Sequence, residues 1–90
     1  MAADRLHLRV LTPERQLVDA DVKQVTAPGA LGEIGILPDH AALFTALDEG
    51  VLSYAEVGGA VGKISVTGGF AEVRDNVVTV LADAGTQPLS

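Results

Sequence analysis

Gly50-Val51-Leu52-Ser53-Tyr54-Ala55-Glu56-Val57-Gly58-Gly59-Ala60-Val61-Gly62-Lys63-Ile64-Ser65-Val66-Thr67 decides the fold class of this chain. Two extended runs, 50–57 and 60–67, flank a pair of glycines. Glycine accepts the positive φ that tight hairpin turns demand, so Gly58-Gly59 predicts a two-residue turn with the runs on either side as partner strands. Both runs are short and rich in β-branched and apolar residues, and neither carries the 3.6-residue period of a helix.

The same grammar extends in both directions. Upstream, residues 5–11 alternate Leu6, Leu8 and Val10 with His7 and Arg9, the period-2 pattern of a half-buried strand. Thr12-Pro13-Glu14 breaks that run, because proline has no amide to give to a ladder. A second extended run covers 16–27, with Val18, Val22 and Val25 apolar, and its phase slips around Asp19-Ala20-Asp21, which predicts a bulge or break there. Pro28-Gly29 ends it. Residues 32–37 form a short apolar run closed by Pro38-Asp39, and Leu43, Phe44 and Leu47 within 41–47 have the spacing of one helical turn. Downstream, Gly68-Gly69 bends the chain, 70–74 continues extended, Asp75-Asn76 turns, and 77–82 is the last strand. Seven to ten short strands with turns every 8–12 residues or so predict an all-β, antiparallel sandwich or barrel. Leu8, Val10, Ile34, Ile36, Phe70 and Val80 are the expected core positions, with Phe70 a core aromatic just after the glycine bend.

At 90 residues the chain has room for one domain, read as 1–84 with a frayed tail over 85–90. It is 48% hydrophobic, too apolar for a disordered chain. Six basic residues against twelve acidic ones give a net charge of −6, and the cations are scattered. That argues against binding nucleic acid or anionic lipid, which need clustered Lys and Arg. With no cysteine there is no disulfide, no thiolate metal site and no thiol nucleophile. The opening Met1-Ala2-Ala3-Asp4-Arg5 lacks the apolar stretch of a secretory signal, and no apolar run approaches the ~20 residues that span a bilayer.

Catalytic chemistry finds little to work with. Two histidines, His7 and His40, are too few for a zinc site without converging carboxylates, so no metal site is expected. Asp19-x-Asp21 lacks the glycine and closing glutamate of a calcium loop. Asp48-Glu49, the densest carboxylate pair, directly precedes Gly50 and reads as a solvated turn rather than a general acid–base pair. There is no phosphate-cradling Gly-x-x-x-x-Gly-Lys-Ser/Thr and no Gly-x-Ser-x-Gly, so no cofactor and no catalytic residue is expected. Read from the residues alone, Glu33 is a solubilising charge, His40 an exposed loop histidine, and the glycines of 29–35 are turn or bulge residues. The chemistry describes a non-enzymatic β module whose partner is open.

Gly32-Glu33-Ile34-Gly35-Ile36-Leu37-Pro38-Asp39-His40, with Pro28-Gly29 three residues before it, takes the reading further. It resembles the signature of the epsilon subunit of F-type rotary ATP synthases, whose mitochondrial counterpart is called delta. Thr12-Pro13-Glu14, Leu47-Asp48-Glu49-Gly50-Val51-Leu52, Gly68-Gly69-Phe70-Ala71-Glu72-Val73 and Val77-Val78-Thr79-Val80-Leu81-Ala82-Asp83 are family-like and in the same order, so the resemblance covers residues 5–83. Two positions depart from the pattern: Asp39 stands where glycine is usual, giving a turn that is tighter or held by the aspartate side chain, and Ala42 stands where proline is common.

The resemblance implies a flattened antiparallel β-sandwich of about ten short strands. It implies a non-catalytic rotor subunit that packs on the gamma subunit and on the c-ring of a proton- or sodium-translocating ATP synthase. Such a subunit is peripheral, at the cytoplasmic face of the bacterial inner membrane or the equivalent organellar face. Carried over by motif, Glu33 and His40 would contact the ring and the gamma shaft from one loop, with Gly32, Gly35 and the departing Asp39 as further contact positions in it. Family members continue into two C-terminal helices beyond the positions of Ala82-Asp83, whereas this sequence stops at Ser90, so neither nucleotide binding nor inhibition by an extended arm is expected of these residues. The rival reading is a free-standing β-sandwich binding module for an unrelated protein.

Overall fold

The computed structural model describes residues 3–86, and these form seven strands: β1 (Leu6–Leu11), β2 (Gln16–Gly29), β3 (Gly32–Ile36), β4 (Leu43–Glu56), β5 (Val61–Arg74), β6 (Val77–Ala82) and β7 (Gly85–Thr86). They hydrogen-bond in the order β1-β6-β5-β4-β2-β3, and β1 also pairs with β2, so the sheet closes on itself into a flattened shell 36 × 26 × 21 Å across. Strand β7 is added to the side of β5, where Ser65 pairs with Thr86 and Val66 with Gly85. Residues 85 and 86 of the expected frayed tail are therefore paired, and 87–90 lie outside the described residues.

The strands are fewer and longer than ten because several expected breaks are bends within continuous strands. β2, β4 and β5 each run 14 residues. Each changes its inward-facing phase part way along, which lets one strand serve both walls of the shell. In β2 the buried set shifts from Val18 and Val22 to Val25 and Ala27. Its pairing with β4 is irregular between Val22 and Gln24, where β2 passes from β1 to β4, and again between Thr26 and Gly29, but Asp19-Ala20-Asp21 pair regularly with β1.

In β5 the buried Ile64 and Val66 give way to Ala71 and Val73. The switch is made by Gly68 and Gly69, at φ 126° and 118°. A side chain is rarely tolerated there, and a Cβ on Gly69 would stand 2.0 Å from the Leu81 carbonyl oxygen. This switch overturns the core reading of Phe70. The ring is in phase with Ile64 and Val66, but beyond the glycine pair that phase points outward, and Phe70 is 48% exposed.

The other corrections follow from the same pairing. Residues 43–47 are strand and not a helical turn: Leu43, Thr45 and Leu47 lean inward with period 2 and pair with Val73, Ala71 and Gly69. Asp48 and Glu49 are exposed positions within β4 rather than a turn. The β4–β5 hairpin closes through Val57, Gly58 and Gly59, a three-residue loop, because the Glu56 amide donates to the Ala60 carbonyl at 2.7 Å and the Gly59 amide to the Glu56 carbonyl at 2.9 Å. One pairing, β1 with β6, is parallel and seals the shell, with Leu8 beside Val78 and Val10 beside Val80.

The interior is aliphatic. Leu6, Leu8, Val10, Val22, Leu52, Ile64, Val66, Val78 and Val80 are fully buried, and no polar or charged residue among the described residues is. Each such side chain contributes about 1.5–3 kcal/mol relative to exposure. Of the expected core, Leu8, Val10, Ile36 and Val80 are buried, and Ile34 packs partly against the cluster. Tyr54 lies across the facing Gly62 of β5, filling the space a Cβ would take.

Candidate functional site

The stretch 32–40, expected as one contact loop, is a strand followed by a turn. Gly32, Glu33, Ile34, Gly35 and Ile36 pair with Gly29, Pro28, Ala27, Thr26 and Val25 of β2, because the apolar Ile34 and Ile36 alternate with small or charged residues and fit a strand with one face inward. Among the described residues β3 pairs with β2 alone and so forms an edge. The strand separates the candidate residues into two places. Glu33 and Gly32 lie next to the β2–β3 hairpin, whose tip residue Leu31 is fully exposed. Asp39 and His40 follow the other end of the strand, and Glu33 to Ile36 alone spans about 10 Å.

The two glycines differ in kind. Gly32 has φ 132° and is required by the hairpin. Gly35 is ordinary extended backbone, and a Cβ there would meet nothing within 4 Å, so nothing inside the molecule asks for glycine.

Asp39 and His40 sit in the connection 37–42, and the aspartate is held through its side chain. Asp39 has φ 66°, a left-handed conformation natural to glycine and tolerated by aspartate. Its carboxylate accepts from the Ala3 amide at 3.0 Å and from Asn76 Nδ2 at 3.2 Å, while its amide donates to Asn76 Oδ1 at 2.6 Å. The His40 amide donates to the Leu37 carbonyl at 3.1 Å and closes the turn. Asp75 and Asn76, both with positive φ (51° and 63°), make the two-residue turn between β5 and β6. An open cleft of about 260 Å³ lies between this turn and the loop, lined by Asp39, His40, Ala42, Arg74, Asp75 and Asn76. Nothing in the sequence pairs Asn76 with Asp39, so Asn76 was legible there only as a turn residue.

Two further features stand apart. Phe44 and Phe70 stack with ring centroids 5.4 Å apart and planes 14° from parallel. Both are exposed, as is Leu81, the cross-strand neighbour of Phe70. A second cleft of about 300 Å³ continues this apolar strip toward Leu11 and Pro13. On the β1–β2 surface His7 sits between two carboxylates, with Nδ1 2.9 Å from Asp21 Oδ1 and Nε2 in contact with Asp19. The hydrogen bond that the imidazole donates to Asp21, joined by Asp19, raises it above its ordinary pKa against a smaller opposing effect of burial. Among the described residues no group of three or more His, Cys, Asp or Glu is placed to hold a metal ion. Among the described residues no helix is long and apolar enough to cross a membrane.

The chain matches the sequence model of the family described as ATP synthase, Delta/Epsilon chain, beta-sandwich domain, over residues 5–88. It is 54% identical over 82 residues to the ATP synthase epsilon chain of Carboxydothermus hydrogenoformans, covering 91% of this chain and 60% of that one. With the chloroplastic ATP synthase epsilon chain of Pelargonium hortorum it shares 43% over 79 residues, 88% of this chain and 59% of the relative. Among solved structures, a chain of the Euglena gracilis mitochondrial ATP synthase (OSCP/F1/c-ring, rotational state 1) superposes with a TM-score of 0.89 at 25% identity, covering 97% of this chain and 56% of its own. A chain of the Tetrahymena thermophila mitochondrial ATP synthase central stalk and c-ring shares the fold at TM-score 0.76 and 21% identity, covering 96% and 69%. The 90-residue chain thus spans about 60% of the length of the curated relatives it matches.

Proposed function

Because this chain belongs to the ATP synthase delta/epsilon family through its beta-sandwich domain, we propose that it acts as a non-catalytic subunit of a rotary ATP synthase. Its place is the central stalk, where it joins the gamma shaft to the c-ring. It works at the cytoplasmic face of the membrane, held there by the complex. The observation that carries the reading is the match over residues 5–88, which takes in the closed sheet from β1 to β7.

Two features of the surface support it. A stacked, exposed Phe44–Phe70 pair continued by Leu81 is the kind of apolar strip that a permanent partner covers. Gly35 leaves an outward strip of the β3 edge bare for no internal reason, which allows another backbone to approach closely. In this proposal β3 and the turn after it make two contacts. Glu33 meets polar, cationic loops of the ring, and Asp39 and His40 meet the neighbouring stalk surface. A charge-assisted hydrogen bond in a docked, partly desolvated interface contributes about 1.5–3 kcal/mol, against ~0–1 for an exposed pair.

Glu33→Lys should therefore weaken association with a purified gamma–c-ring rotor about tenfold or more. The loss should grow at low ionic strength, where repulsion is unscreened. Glu14→Lys, an exposed reversal in the β1–β2 turn, is the control. Equal effects of the two reversals, or unfolding by Glu33→Lys, would overturn the contact assignment, and failure of the wild-type chain to bind gamma or the rotor would overturn the function.

A further inference from the structure

The connection 37–42 carries Asp39 and His40 between β3 and β4 without ladder pairing of its own. Among the described residues, the hydrogen bonds that tie it to the rest of the molecule are those of Asp39. The aspartate adopts φ 66°, which its side chain tolerates but does not enforce, so the shape of the turn depends on what holds it.

We infer that Asn76 is a positioning residue for this contact turn. Its amide closes a ring of two bonds on a single residue 37 positions away: Oδ1 accepts from the Asp39 amide at 2.6 Å, and Nδ2 donates to Asp39 Oδ1 at 3.2 Å. Few side chains perform both halves. An aspartate at 76 would turn a second acceptor toward the Asp39 carboxylate, and a glycine would keep the backbone while losing both bonds.

Asn76 is itself well anchored. It occupies a two-residue turn between paired strands, Arg74 opposite Val77, and its carbonyl accepts from the His7 amide of β1 at 2.9 Å. The clamp therefore refers the turn to the β1–β6–β5 wall. It also fixes one rim of the cleft, with His40, against the other, with Arg74, so a partner meets a surface already arranged. A partner that binds only the arranged turn sees its affinity reduced by the fraction of time the turn is elsewhere.

The inference rests on the proposed contact role of Asp39 and His40, and the test separates the two. Binding of the full 90-residue chain to a purified gamma–c-ring rotor is measured for Asn76→Gly, Asp39→Gly, the double variant and His40→Ala, with thermal midpoints and amide hydrogen exchange at residue 39. Asn76→Gly keeps the positive φ of the turn, so its midpoint should stay within a few degrees of wild type while affinity falls roughly tenfold and the residue-39 amide exchanges faster. Because the two residues act through one bonded pair, the losses from Asn76→Gly and Asp39→Gly should be less than additive. Additive losses would mean that Asn76 only shapes its own turn, and would overturn the inference. Wild-type affinity in Asn76→Gly beside a weakened His40→Ala would overturn it too, while leaving the contact role standing. Wild-type affinity in both variants would overturn the contact role on which it rests.

Discussion

Replacing Gly69 with alanine puts the geometry of the bend in β5 to a quantitative test. The residue has φ 118°, and holding a non-glycine there costs on the order of 1–3 kcal/mol. The new methyl would also stand 2.0 Å from the Leu81 carbonyl oxygen and 2.8 Å from the Ala82 Cα. These are backbone atoms of β6 and cannot swing aside as a side chain would. Gly69 is paired with Leu47 on one side and Ala82 on the other, so relief requires prying the end of β6 from β5. Losing about two ladder hydrogen bonds there adds ~1–3 kcal/mol.

The sum, about 2–6 kcal/mol, is a large part of the ~5–13 kcal/mol that a chain of this size possesses. Two neighbours separate the contributions. Gly68→Ala shares the backbone conformation, at φ 126°, but its Cβ would meet first the Asp83 carboxylate, at 3.0 Å, and that side chain can move; about 1–3 kcal/mol is expected. Gly58→Ala meets nothing within 4 Å and should be neutral or stabilise by up to ~1 kcal/mol, through the unfolded chain. Urea unfolding followed by far-ultraviolet circular dichroism, with equal slopes, orders the three. A loss below ~1.5 kcal/mol for Gly69→Ala, or one no greater than that of Gly68→Ala, would refute the backbone clash.

Two further outcomes are expected. Phe70→Ala should cost only about 1–2 kcal/mol, the stacking on Phe44 and half of the ring's burial, whereas a buried phenylalanine costs 3–5; a loss above ~3 kcal/mol in urea would return the ring to the core. His7 has a raised folded-state pKa, so its pairing with Asp21 and Asp19, beside Arg5, contributes stability that is fully present below the unfolded imidazole value and is lost as pH rises through the folded one. His7→Gln should therefore destabilise more at pH 5.5–6 than at pH 9, and an equal difference at both would show that the imidazolium is not what Asp21 and Asp19 hold.

Strands were legible wherever one phase of alternation held over a whole element. In β1 the Leu6, Leu8 and Val10 set reads directly as buried. Legibility ended where a strand changed phase. Phe70 shares parity with Ile64 and Val66, and only the paired positive-φ glycines turn it outward, which is a matter of backbone twist that hydrophobicity does not encode. The same effect hid β4, whose inward set moves from Leu43 and Leu47 to Leu52, so that its first part resembled a helical turn. At the candidate site, motif resemblance singled out Glu33 and His40 as contact candidates but did not show their separation by a paired strand. The side-chain hold on Asp39 was foreseeable from an aspartate in a glycine position; its partner was not, since a contact between positions 39 and 76 leaves no local pattern.

The parallel seam between β1 and β6 has a consequence for synthesis. Leu8 and Val78 are neighbours in the finished shell, yet they leave the ribosome seventy positions apart. A nascent chain can form the β1–β2, β2–β4 and β4–β5 pairings as it emerges, but it carries two unsatisfied strand margins, one on β1 and one on β5, until β6 arrives. During that interval Leu8, Val10, Ala71 and Val73 lack the cover they later receive from Val78 and Val80. Open margins of this kind recruit other extended chains. A chain that ends before position 77 should therefore attract chaperones, and β6 is the six-residue piece whose arrival covers both of these margins.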